Sequence, residues 1–125
     1  MKRSPGVLWI KAAVIYFMMG IGLGIYMGAS GDHLLVPVHA HFNLLGWASL
    51  ALVGLIYHQF PVAGSHRLAR IQFWLHNLGL LTAMALLVAI LRGNSSLEPV
   101  IGVASIVIGA SVVLFAINVF QNVRA

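Results

Sequence analysis

Cysteine is absent from the chain, and acidic residues number only two, Asp32 and Glu98. The first absence excludes disulfides, thiolate metal sites and haem attachment through a Cys-x-x-Cys-His motif. Any metal would have to be held by His, Met, Tyr or backbone oxygen. The second leaves no acidic residue inside an apolar segment, and so no sign of a carboxylate proton channel. Charge of either sign is scarce: 7% of the 125 residues are charged, against about 25% in a soluble domain. Hydrophobic residues make up 61%, and a chain so composed has the bilayer as its solvent. The net charge of +5 does not point to nucleic acid, because the basic residues are isolated at the flanks of apolar runs and form no stripe.

Four apolar stretches, about 6–28, 34–60, 68–91 and 100–119, are each long enough to cross roughly 30 Å of hydrocarbon as a helix. Turn-forming residues separate them: "GASGDH", "PVAGSH" and "RGNSSLEP". The breaks are short, so consecutive helices run antiparallel. The expected fold is an all-α, integral membrane four-helix bundle forming one domain over 1–125. The opening "MKRSP" and the later "GAS" resemble the ends of a signal peptide. The apolar run between them exceeds the ~7–15 residues of a signal core, which favours a retained spanning helix.

Basic residues collect on one side: Lys2, Arg3, Lys11, Arg67, Arg70 and Arg124, against Arg92 with both acids on the other. The expected orientation has both termini in the cytoplasm, in a bacterial inner membrane. The first segment carries Gly20, Gly24 and Gly28 at four-residue spacing, and the last carries Gly102, Ser105 and Gly109. Such ladders let another helix, or a flat cofactor, approach the backbone, and helix packing is the simpler reading.

Six histidines against two acids is an unusual ratio for so apolar a chain. His33, His58 and His66 fall at segment ends and read as interfacial. His39, His41 and His76 fall inside spans, where an ionisable ring is costly and by default functional. Positions i and i+2 of an α-helix point about 200° apart, so His39 and His41 leave opposite faces and cannot share one metal. The spacing suits one helix standing between two separate ligands, and it lacks the i, i+4 pair of a zinc helix. His39, Asn43 and Gly46 share a face, Gly46 making room for a flat ring, while Phe42 and Trp47 supply an aromatic wall. His76, in "WLHNLGL", has the same company of an amide and a glycine. Counting from a hairpin centred near Ala63 puts His76 about nine residues below His41, roughly 13 Å, too far for the two to sandwich one haem. The same counting puts Ile25 to Met27 level with the histidine pair and makes Met27 a candidate sixth ligand.

The stretch "HAHFNLLGWASLALVGLIYHQFP" resembles the tenth transmembrane helix of subunit I of the haem-copper oxidases, most closely the cbb3-type oxidases and nitric oxide reductases. "FWLHNLGL" is similar to the segment that follows it in that family. The resemblance implies haem, most simply b-type, with His39 as proximal ligand of a high-spin haem and His41 as ligand of a low-spin haem. It also implies electron transfer or binding of a diatomic gas (O2 or NO), with a redox partner protein or quinone. The family's other low-spin ligand, its copper-binding His pair and its cross-linked Tyr have no counterpart here, so four-electron oxygen reduction and proton pumping are not expected. The family's subunit has twelve helices in three arcs of four, whereas this chain has one such unit. A homo-oligomer, trimer or dimer, would reconcile the two by lending ligands between copies. Competing readings are a membrane copper- or zinc-binding or transport protein, and a non-catalytic assembly subunit.

Overall fold

In the computed structural model, residues 4–125 are described; Lys2 and Arg3, which contribute to the charge asymmetry, lie outside the described residues. The four expected spans are present as helices, and no strand occurs among the described residues. Helix α1 is Val7–Ser30 and α2 is Val36–Gln59. A short helix α3, Pro61–Ser65, fills the connection to α4, Arg67–Leu91. A 3-10 turn, Ser95–Leu97, leads into α5, Glu98–Asn122. Each of the four long helices is long and apolar enough to cross a bilayer.

The helix ends follow from local chemistry. Helix α1 stops at Gly31, whose left-handed φ of 71° lets its N–H reach back to the Met27 carbonyl, a conformation that costs a side-chain-bearing residue more. Proline stands in the first turns of α2, α3 and α5, where its missing N–H has no intrahelical partner to lose. His66 caps α4 by accepting the Leu68 N–H on its ring. His33 and His58 are likewise exposed at helix ends, bonded to the Gly31 carbonyl and Ser4 Oγ respectively. All three interfacial assignments fit these positions.

Helices α1 and α2 form one closely packed hairpin and α4 and α5 another. Within the first, glycines bring the backbones together. A Cβ on Gly46 would stand 2.6 Å from Tyr16 Cβ, and one on Gly54 would stand 3.1 Å from the Gly6 carbonyl. Gly20 accommodates the Asn43 amide and Gly24 the His39 ring, so these two steps of the ladder serve helix packing. Gly28, Gly102 and Gly109 meet nothing within 4 Å. Aromatic and polar side chains from all four long helices join the two hairpins. Trp9 packs edge-on to both Tyr57 and Phe73, and Tyr57 in turn meets Phe115. Many large apolar side chains, Ile106 and Phe120 among them, are exposed on the outside of the bundle, an arrangement suited to lipid rather than water as the surrounding medium.

One element lies beyond the sequence pattern. Helix α2 is α-helical over Val36–His41, π-helical over Phe42–Ala48 and α-helical again over Ser49–Gln59. The Ser49 N–H, which in an α-helix would bond Leu45 O, bonds instead to the carbonyls of Leu44 and Gly46. Segments of this kind are rare and concentrate at functional sites.

Candidate functional site

His39 and His41 sit in the last regular turn of α2 before the π segment, so the opposite-face geometry expected of i and i+2 applies to them. His39 turns inward to α1. Its Nδ1 lies 2.7 Å from the Gly20 carbonyl, and its Cε1 lies 3.0 Å from where a Gly24 Cβ would be. His41 turns outward and is exposed, with Nδ1 2.6 Å from the carbonyl of Pro37 on its own helix. A carbonyl oxygen only accepts, so in both rings Nδ1 carries the proton and donates it. In the neutral ring Nε2 is then a bare lone pair, and neither Nε2 has a partner among the described residues.

Asn43 supports the inward ring through the backbone. Its Nδ2 donates to the His39 carbonyl at 2.9 Å. The same nitrogen passes 3.4 Å from His39 Nδ1, but two donors make no bond, and the contact is one of packing.

The remaining expected residues take structural positions. Gly46 does face α1 with Asn43, yet Tyr16 fills the space it leaves, so no flat ring fits there. Trp47 stacks on Phe17 with centroids 4.6 Å apart, and Phe42 stacks on Tyr16. Met27 is buried in the apolar core, and His39 lies over Gly20 and Gly24 rather than level with it. His76 is buried with both nitrogens engaged, Nε2 with Leu45 O at 2.7 Å and Nδ1 with Ser111 Oγ at 3.2 Å. The expected nine-residue offset from His41 is therefore too large, since Leu45 is only four residues beyond it. The π segment acts in this direction, because it holds more residues in a given length of α2.

A second constellation escaped the sequence reading. Tyr57 donates to Gln72 Oε1, Asn118 Nδ2 donates to Tyr57 Oη and to the Ala63 carbonyl, and Asn122 Nδ2 donates to Asn118 Oδ1. Higher in the bundle Tyr16 donates to Asn77 Oδ1, and Asn77 Nδ2 to the Phe73 carbonyl. Amides and tyrosines inside apolar runs were the available signal, because polar groups in a span must find partners or a task. Which pairs they form depends on helix rotation, which hydropathy does not fix.

Among the described residues no three His, Cys, Asp or Glu side chains converge as a metal site. Comparisons of the chain with family models, with curated proteins and with solved structures give no match.

Proposed function

We propose that this is a haem-binding membrane protein in which His39 and His41 are axial ligands to haem on opposite sides of α2, serving electron transfer or the binding of O2 or NO. The observation that carries this reading is shared by the two rings: each donates Nδ1–H to a backbone carbonyl and leaves Nε2 bare. That arrangement fixes the tautomer, orients the ring and strengthens it as a ligand. Neutral imidazole nitrogens in an apolar setting suit porphyrin iron, and bound haem would supply the redox or gas chemistry.

The chain's own residues supply the rest. The Gly20 carbonyl holds His39 against α1, and Gly24 leaves space for the ring edge. The Pro37 carbonyl holds His41 on the lipid-facing side. His39 and His41 would each hold haem iron through Nε2, and a neighbouring copy or a bound gas molecule would supply a further ligand. A dimer or trimer in the bacterial inner membrane, termini cytoplasmic, fits the charge asymmetry and the resemblance of α2 to an oxidase helix.

The test is the absorbance spectrum of protein purified in mild detergent and supplied with haem. A Soret band is expected, and the double variant His39→Ala, His41→Ala should lack it; full haem binding by that variant would falsify the assignment. Mass measurement of the detergent-solubilised complex checks the oligomer, which a monomer carrying six-coordinate haem without added ligand would exclude.

A further inference from the structure

At the end of the bundle where α1 and α4 begin, a cavity of about 290 Å³ opens between them. Leu8, Trp9 and Phe73 line it with apolar surface, and Ser65, His66 and Arg70 with polar groups. Arg70 and Trp74 also border a second hollow, of about 440 Å³, whose other walls are the aliphatic side chains of Ile71, Leu75, Leu78 and Val107. Leu78 and Val107 in turn border a third, of about 250 Å³, that reaches Thr82 on α4 and Val100 on α5. Because neighbouring hollows share walls, they form one groove, cationic at its head and apolar along the rest.

Charge at the head is unbalanced. Arg67 and Arg70 stand at the start of α4, both exposed. The chain's two acidic side chains, Asp32 and Glu98, lie beyond the far ends of α1 and α4. Helix α4 has 25 residues and so is about 37 Å long, well beyond a Debye length of ~10 Å at 0.1 M salt. Neither acid can neutralise these arginines. His66 Nδ1 accepts the Leu68 N–H, so the neutral ring carries its proton on Nε2 as a further donor. The head thus offers N–H donors and positive charge with no acidic side chain, the complement of a phosphate group. Depth agrees with a lipid as its source: from Arg70 to Thr82 the groove follows about 18 Å of helix, against ~15 Å for half the hydrocarbon core. Trp74, more than half exposed and one turn inward from Arg70, fits the aromatic belt of a membrane boundary.

We propose that this groove holds an anionic glycerophospholipid of the surrounding bilayer, its phosphate against Arg70 and His66 and one acyl chain laid along α4 over Trp74 and Leu78. The order of the groove, charged at the boundary and apolar for the depth of one leaflet, is the order of the molecule. A free phosphate would account for the head and not for the apolar length. A zwitterionic lipid would bring its own cation towards Arg70, so the site selects for a headgroup without one. The site is independent of the haem reading, since none of its residues bonds to His39 or His41.

The experiment is native mass spectrometry of the full-length protein, titrated in detergent with an equimolar mixture of phosphatidylglycerol and phosphatidylcholine carrying the same acyl chains. One phosphatidylglycerol per chain should be retained in preference to phosphatidylcholine. Arg70→Gln, at an exposed position, should lose about fivefold of that preference, the equivalent of one arginine beside an anionic lipid. Leu78→Trp, at a second exposed position, fills the groove and should weaken retention of both lipids while the helices stay folded. Arg124→Gln removes a cation from the same end of the bundle but outside the groove, and should change nothing. Equal retention of the two lipids, or a preference that falls as much in Arg124→Gln as in Arg70→Gln, overturns the proposal. Displacement of the lipid by millimolar inorganic phosphate would assign the head to a free anion, and a lipid-free dimer broken by Leu78→Trp would assign the groove to a second copy; either result also overturns it.

Discussion

His76 Nε2 lies 2.7 Å from the carbonyl oxygen of Leu45, within the π-helical stretch of α2. The Ser49 N–H that would serve this carbonyl in an α-helix is bonded elsewhere, and a side chain from α4 takes its place. Ser49 Oγ reinforces the same irregularity by donating to the Leu44 carbonyl at 2.7 Å. The π segment and the buried histidine thus account for each other: the one exposes an acceptor, the other needs one.

Replacing His76 with Leu should therefore loosen α2 between Phe42 and Leu50. The expected loss is about 0.6–1.7 kcal/mol, the range for interhelical hydrogen bonds in membranes. Amide hydrogen exchange should rise at Leu44 to Leu50, and reversible unfolding in mixed micelles gives the energy. Haem binding should survive, because both His76 nitrogens are already engaged. Loss of the Soret band in this variant alone would make His76 a ligand and contradict the assignment of its role.

The two proposed ligands should separate in single variants. His39→Ala removes a ring packed on Gly24 and bonded to Gly20, so it should cost stability, of order 1 kcal/mol, as well as haem. His41→Ala removes an exposed ring bonded only to its own helix, so unfolding should hardly change while its share of the haem is lost. Equal destabilisation by both would mean that the outward ring is packed against something this chain does not contain.

Glycine substitutions should divide by helix. Gly46→Ala places a methyl 2.6 Å from Tyr16 Cβ and must push α1 and α2 apart, at an expected cost of about 1–3 kcal/mol. Gly102→Ala and Gly109→Ala meet open space on α5 and should be neutral or slightly stabilising, by up to ~1 kcal/mol, as the helix loses backbone freedom in the unfolded state. Thermal unfolding of the purified variants in detergent decides the comparison. A large loss from Gly109→Ala would reveal a neighbour on that face.

The Tyr57 and Asn118 side chains should be energetically coupled. Tyr57→Phe leaves Gln72 Oε1 without its donor and Asn118 without one acceptor, while Asn118→Leu strands the Ala63 carbonyl and Asn122. A double-mutant cycle should return a coupling of at least about 0.5 kcal/mol. Strict additivity would mean that the two groups do not form a bond in the bilayer.

How much of this could be read in advance varies along the chain. Interfacial positions of His33, His58 and His66 follow from their place beside turn residues. The opposite faces of His39 and His41 needed only the angular step of a regular helix, and the regular turn persists through His41. The ladder of Gly20 and Gly24 announced a close approach without saying what would approach. Asn43 and His39 filled that space, and Tyr16 filled the space at Gly46.

The sequence by itself determined that four helices are long and apolar enough to cross a bilayer, where they end and how few polar groups they carry, because transfer of apolar residues into lipid and the conformational limits of glycine and proline act locally. Tertiary structure decided which polar groups meet. Helix rotation and level set the Leu45–His76 bond, the π segment it accompanies and the line from Asn122 to Gln72, and those depend on packing across helices distant in sequence. For His39 and His41 the division falls within the residue: the sequence supplied the direction of each ring, and the fold supplied the carbonyl that leaves each Nε2 bare.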